Sequence, residues 1–288
     1  MDFKTKIYLD YSATTPVDES VVEAMLPYFR AKFGNPSSIH WYGQEAESAL
    51  ENCRQMVASS LNCSPEEVIF TSCGTESDNL ALRGVSLAAL TAQNRRHILI
   101  SPVEHHAISI TAEQLAKHHG FQVEYLPVDE FGMVSPDDVD AHIRDDTAIV
   151  SVIYANNEIG SINPISEIGA VCQQKGVIFH TDAVQAAAYL PIDVHSLNVD
   201  LLSIGAHKFY GPKGVGALFV RNGTALIPSL TGGSQESNLR AGTHNIPYIL
   251  GLAKALQLRQ ADREIQSGKL VSFRDHLIDQ VLQKIPDS

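Results

Sequence analysis

Chemistry in this chain gathers around one lysine. Lys208 ends the run Val199-Asp200-Leu201-Leu202-Ser203-Ile204-Gly205-Ala206-His207-Lys208 and precedes the glycine-rich turn Phe209-Tyr210-Gly211-Pro212-Lys213-Gly214. A lysine placed just past a buried strand and walled by small residues loses hydration, which favours its neutral amine and makes it a Schiff-base nucleophile. The alternative is a strand-end lysine that carries its ammonium out to water along an apolar stem. Upstream, Asp182 in His180-Thr181-Asp182-Ala183-Val184-Gln185 directly follows a second apolar run. A carboxylate there can hold a protonated heteroaromatic nitrogen, and such a ring is an electron sink for carbanions. Further upstream, Phe70-Thr71-Ser72-Cys73-Gly74-Thr75-Glu76-Ser77 reads as strand, tight glycine turn and helix start. Free N–H groups and the helix dipole make that junction a phosphate cup, although Ser72 or Thr75 would also serve as an ordinary helix cap.

The elements that must position these groups alternate along the chain. Short β-branched or apolar runs at 68–71, 97–101, 122–127, 148–154, 177–181, 201–204 and 216–220 are predicted strands. Helical patterns at 44–61, 76–90, 107–117 and 166–175 lie between them. Such alternation predicts an α/β fold, a largely parallel sheet covered by helices on both faces. Residues 7–16 read as a short extended segment stopped by Pro16, and from Ile246 onward the pattern is helical. Its last part carries Leu270, Phe273, Leu277, Ile278, Val281, Leu282 and Ile285 at spacings of three and four, an apolar stripe that requires a packing partner.

Composition excludes several roles. With 288 residues, 44% of them hydrophobic, the chain can bury a large core, and its formal net charge of −12 opposes nucleic-acid phosphates and anionic membrane surfaces. No apolar run approaches the roughly 18 residues of a membrane span, and Met1-Asp2-Phe3-Lys4 lacks the order of a secretory signal. Four cysteines (Cys53, Cys63, Cys73, Cys172) show neither disulfide-framework nor zinc spacing, which points to a soluble protein of a reducing compartment, the cytoplasm. Cys73 reads as a small buried filler and the others as helix packing. His106, His118 and His119 read as solvated helix-end residues, and no metal is assigned.

Further blocks join these in register: residues 8–16 (Tyr8-Leu9-Asp10-Tyr11-Ser12-Ala13-Thr14-Thr15-Pro16), Phe33-Gly34-Asn35-Pro36-Ser37-Ser38, Glu104-His105, Asn156-Asn157-Glu158-Ile159-Gly160, and Gly232-Gly233 through Arg240-Ala241-Gly242-Thr243. With the lysine, aspartate and glycine-turn blocks, they resemble the class V aminotransferase group of fold-type I pyridoxal-phosphate (PLP) enzymes. The finer pattern is similar to the cysteine desulfurases of the NifS/IscS type. That resemblance implies a three-layer large domain at 16–262, an N-terminal segment at 1–15 associated with a small domain, and the start of an incomplete small domain at 263–288. It implies PLP joined to Lys208, Asp182 on the pyridinium, Gln185 on the phenolic oxygen, His105 stacked on the ring and Asn157 near the same oxygen. Gly74, Thr75, Gly205 and His207 would hold the phosphate, joined by Thr243 from the partner subunit of a homodimer. Lys208 and His105 would be the catalytic pair.

The implied reaction takes L-cysteine to L-alanine and passes sulfur to a mobile cysteine, then to a sulfur-acceptor or iron–sulfur scaffold protein. Two departures stand out: Gly205 replaces a common serine, and Glu236-Ser237-Asn238-Leu239-Arg240 replaces a common Glu-Arg-Gly pattern. Family members carry the sulfur-accepting cysteine and a carboxylate-binding arginine in a C-terminal domain, so this chain is expected to bind PLP but to turn cysteine over poorly. A PLP-dependent C–S lyase, a selenocysteine lyase and a non-catalytic scaffold of the same fold are the competing readings. The scaffold is disfavoured because it has no chemical need for Lys208 together with Asp182 and His105.

Overall fold

The computed structural model describes residues 7–287, so the first six residues of the proposed N-terminal segment lie outside the described part. In chain order the elements are α1 (Glu19–Met25), α2 (Trp41–Leu61), β1 (Val68–Thr71), α3 (Gly74–Gln93), β2 (His97–Ile100), α4 (His106–His119) and β3 (Gln122–Tyr125). They continue with α5 (Pro136–His142), β4 (Thr147–Ser151), α6 (Ile165–Lys175), β5 (Ile178–Asp182), α7 (Ala186–Tyr189), β6 (Leu201–Gly205), β7 (Gly216–Val220) and α8 (Ile246–Lys284). Every predicted strand is present. The run from 148 leaves the sheet early, at Ser151, yet Val152 and Tyr154 still donate to the carbonyls of His180 and Asp182. Residues 11–13 form a turn closed by Ala13 N–H on Asp10 O rather than an extended segment, because among the described residues no neighbouring strand offers them a ladder.

The strands form one seven-stranded sheet in the order β1-β7-β6-β5-β4-β2-β3. β6, β5, β4, β2 and β3 run parallel, whereas β7 is antiparallel to both β1 and β6. Alternation along each strand supplies two cores. Ile98, Ile100, Ile149, Leu201 and Leu218 meet Leu80, Leu82 and Val85 of α3 and Ile108 and Leu115 of α4. On the other face, Leu99, Val150, Phe179, Leu202 and Phe219 meet α2, α6 and the first part of α8. Covered on both faces, the central strands are continuously apolar, which is why they were legible as runs. β3 is an edge strand, polar and partly exposed.

Helix ends are marked by chemistry. Gly120 and Gly176 close α4 and α6 at φ 72° and 66°, a left-handed backbone that costs glycine nothing. Asn62 and Asn94 do the same for α2 and α3. α8 is one continuous helix of 39 residues, so the sequence boundary at 262/263 falls within it. Ile246, Ile249, Leu252, Ala255 and Leu256 are buried, while Ile265, Leu270, Phe273, Leu277 and Leu282 are exposed.

Candidate active site

Five strand ends deliver side chains to one place. β1, β2, β4, β5 and β6 all finish at the same edge of the sheet, where open α/β sheets bind ligands. Beyond that edge lies a cavity of about 220 Å³ lined by Ala13, Cys73, Gly74, Thr75, Asp78, His105, Ile153, Asn157, Asp182, Val184, Gln185, His207 and Lys208. Of the residues singled out from sequence, Lys208, Asp182, His105, Gly74, Thr75, Asn157, Gln185 and His207 meet there. Gly205 lies just behind the cavity, a Cβ on it falling 3.4 Å from the Gly74 nitrogen. Thr243 is exposed and does not line the cavity of its own chain.

Lys208 sits in the short helical turn after β6 and is only half-buried. Its Nζ donates to the carbonyls of Ser12 and Ala13 at 2.5 and 3.0 Å. Burial lowers the pKa of its ammonium, and the charges of Asp182 and Asp10 oppose that fall. The amine is thereby moved toward the form that attacks carbonyls. The N-terminal segment is tied to the lysine turn at further points: Thr15 donates to the His207 carbonyl through both N–H and Oγ1, and Asp18 N–H reaches Tyr210 O. Gln185 Nε2 also donates to Ser12 O, at 2.6 Å. Burial drops His207 to about 4, helped by the charges of Lys208, Lys213 and His105. Its ring is therefore neutral at physiological pH, with Nδ1 3.2 Å from Thr14 Oγ1.

The glycine turn is built as an uncapped helix start. Cys73 is the N-cap of α3 and makes no side-chain capping bond; neither Ser72 nor Thr75 takes that role. Glu76 instead reaches back to Ser72 N–H at 2.6 Å and is held by Arg240 at 2.8 Å. Gly74 is required by close approach, since a Cβ there would stand 2.6 Å from Val184 Cγ2. The opening amides of α3 are left for an anion at the positive end of the helix dipole. Cys73 is partly exposed and borders the cavity, so it is not the sealed filler expected from sequence. Burial pushes Cys53, Cys63 and Cys172 up to about 12, which leaves them as inert thiols.

His105 both caps α4 and lines the cavity. Its Nδ1 accepts the N–H of Ala107 at 3.1 Å and closes the start of α4. That bond assigns the neutral ring's proton to Nε2 and fixes the plane of the imidazole at the cavity wall. Asn157 is set by its neighbour: Asn156 Oδ1 takes the N–H groups of Glu158 and Ile159, and its Nδ2 donates to Val103 O.

Beside Asp182 lie two acids that sequence reasoning did not assign: Asp78, which lines the cavity, and Glu104, which does not. Asp182 Oδ1 accepts Val184 N–H at 2.9 Å. Asp78, on the inner face of α3, is 1% exposed. Glu104 tucks its carboxyl beneath the start of α4, where Oε1 accepts Ser101 Oγ–H and Ile153 N–H, each at 2.6 Å. Burial raises all three pKa values, Glu104 reaching about 8. His180, sealed between Ser151 Oγ and Ser203 Oγ, is pushed down to about 3 by burial and is neutral. The signal for Asp78 was its place four residues after Gly74, one helical turn into α3 and so directly below the cup.

These features fit PLP. The uncapped start of α3 suits a dianionic phosphate, Asp182 suits a ring N–H, and Lys208 brings an amine to the same cavity. Asp78 Oδ1, buried without a partner beside that cavity, shows polar capacity still unspent there.

The aminotransferase class-V family model matches residues 7–287. The chain is 49% identical over 284 residues to the cysteine desulfurase IscS of Dictyoglomus turgidum, covering 99% of this chain and 71% of that protein. It is 50% identical over 280 residues to the IscS of Methanosarcina thermophila, covering 97% and 68%. Among solved structures, a NifS-like protein superposes with a TM-score of 0.93 at 38% identity, covering 97% of this chain and 76% of the other. SspA in complex with cysteine superposes with a TM-score of 0.84 at 39% identity, covering 88% and 72%. The chain therefore belongs to the class-V aminotransferase family of PLP enzymes, and within it to the cysteine desulfurases of the NifS/IscS type.

Proposed function

We propose that this chain binds PLP on Lys208 and serves the removal of sulfur from L-cysteine, giving L-alanine and a persulfide on an acceptor thiol. The observation that carries this reading is the meeting of Lys208, Asp182, His105 and the uncapped start of α3 on one cavity. Bound PLP supplies an aldehyde that takes up amines and a protonated ring that draws electron density from the substrate Cα. Asp182 would hold the ring nitrogen, Gly74, Thr75 and His207 the phosphate, and Gln185 and Asn157 the phenolic oxygen. His105 would cover the ring face in the orientation set by its bond to Ala107. Lys208, once free of the cofactor, would serve as the base near the substrate Cα, its ammonium pKa lowered by burial. Overall, an acceptor thiolate bonds to the substrate sulfur, the Cβ–S bond breaks, and Cβ takes a proton. Oxidation of the acceptor to persulfide balances reduction of Cβ to a methyl group.

The neighbour holding cysteine supports the substrate. Cys53, Cys63 and Cys172 are poor acceptors because they are protonated and packed in or against the core. We further read residues 16–262 as the cofactor domain, with 1–15 and 263–288 belonging to a smaller unit. The full assembly is read as a cytoplasmic homodimer in which Thr243 completes the partner's phosphate site, delivering sulfur to an iron–sulfur scaffold or similar acceptor protein. Among the described residues no helix is long and apolar enough to cross a membrane. Borohydride reduction of the PLP-loaded protein followed by peptide mapping tests the assignment, and the label is expected on Lys208. A label on Lys213, or none after reconstitution, refutes it. Alanine formation from cysteine at a rate set by added dithiol is the activity expected; pyruvate and ammonia as products would favour a C–S lyase instead.

A further inference from the structure

Asp78 and Asp182 line the cavity, Glu104 lies close enough to interact with both, and the three carboxyl groups are not equivalently supported. Asp182 has the N–H of Val184 at 2.9 Å and lies in the field of the Lys208 amine. Glu104 commits one oxygen to both of its donors, Ser101 Oγ–H and Ile153 N–H, and leaves Oε2 sealed from solvent without a partner. Glu104 is partly exposed as a residue, but the carboxyl that matters is buried. Asp78 likewise leaves Oδ1 buried without a partner. The ring nitrogen nearest to it, His180 Nε2, is 3.7 Å away and faces Ser203 Oγ at 3.0 Å.

The surroundings of each group decide where charge can rest. Asp78 on α3 faces Asp182 and the neutral His180 from β5, Ser203 from β6, the Cys73 thiol and Glu104. Glu104 faces Asp182 from β5, Ser101 after β2 and the Ile153 amide after β4. Among the described residues no cation addresses either one, whereas Asp182 has Lys208. Three carboxylates in one water-poor floor would repel one another with little compensation, and an uncompensated buried carboxylate is neutralised by taking up a proton. We propose that Asp78 and Glu104 each carry a proton at neutral pH, on the oxygens that have no donor, so that the floor of the site holds a single negative charge, on Asp182. Both are then positioning residues that act through Asp182. Two neutral acids keep the charge on the one carboxylate that faces the cofactor ring, and they prevent a proton from being shared away from that face. The consequence for the ring rests on the PLP reading above; the proton count does not.

Infrared difference spectroscopy in D₂O, run on the protein without PLP, reads the proton count directly. At pH 7 a carbonyl stretch of neutral carboxylic acid is expected, diminished in Glu104→Gln, diminished separately in Asp78→Asn, and unchanged in Asp182→Asn. In the wild type the Glu104 component fades as pH rises through about 8. Absence of the stretch at pH 7, or its persistence in full in both variants, overturns the proposal; loss in one variant only overturns it for the other residue. Should either variant fail to fold, the wild-type stretch and its pH dependence still decide. Spectrophotometric PLP titration separates the two claims: Asp182→Asn should lose tenfold or more in affinity, roughly the effect of removing one charge-assisted bond, while its infrared stretch is unchanged. Failure of the wild type to bind PLP would refute the reading of the site and leave the proton count standing.

Discussion

Replacing Glu236 with glutamine should destabilise the fold by about 3 kcal/mol, through a carboxylate that never touches the cavity. Glu236 is buried and receives Arg54 Nη1 and Nη2 at 2.9 and 2.8 Å, the Phe70 N–H at 2.8 Å, and His244 Nε2 at 2.6 Å. Burial alone would push its pKa up, but the bonds from Arg54 and His244, the Arg54 charge and the Phe70 amide outweigh it and bring the group from 4.5 down to about 2. That fall is worth about 3 kcal/mol at neutral pH. The sign follows from the depressed folded value: the contribution is complete above 4.5, erodes as pH falls below it, and is gone below about 2. Glu236→Gln keeps the shape but leaves the buried Arg54 guanidinium with only the exposed Glu51, at 3.3 Å, as counter-charge. Urea unfolding of wild type and variant, from pH 7 to the lowest pH at which both stay folded, tests the reasoning. A gap of about 3 kcal/mol at pH 7 that narrows steadily below pH 4.5 is expected. A variant within about 0.5 kcal/mol of wild type at pH 7, the ordinary scatter of surface substitutions, would refute it.

Glu104→Gln should remove a stability loss that the wild type suffers as pH rises from 4.5 to about 8, the window of a carboxyl held above its usual range by burial. The relief reaches about 5 kcal/mol at full extent, read from thermal unfolding at pH 5 and pH 8.5. Gly74→Ala should weaken PLP binding about tenfold by forcing Val184 aside, with Gly74→Ala/Val184→Ala restoring most of it in a spectrophotometric titration. Ser237→Gly should raise stability by about 1 kcal/mol in urea unfolding, because Ser237 is held left-handed at φ 55° between Glu236 at 47° and Asn238 at 66°.

Much of the architecture was written locally. A strand buried on both faces must be apolar throughout, so β1, β2, β4, β5, β6 and β7 could be read as runs and the mostly parallel class inferred from their alternation with helices. Lys208, Asp182 and Gly74 were legible for a related reason: each ends a strand or lies within three residues after one, and strand ends in such a sheet point to one edge. Strand order was not legible, because pairing joins residues far apart in the chain; nothing in 216–220 says that β7 runs antiparallel between β1 and β6. Nor did local sequence say that Asp78, Glu104 and Asp182 lie in one another's fields, that Ser12 and Ala13 accept from Lys208, or that Arg54 closes on Glu236, 182 positions away. A carboxyl's charge depends on what lies within a few ångströms of it, and here those neighbours come from other strands and helices. Residue types set what chemistry was available; the packing of the sheet edge decided which acids keep their protons and which one faces the lysine.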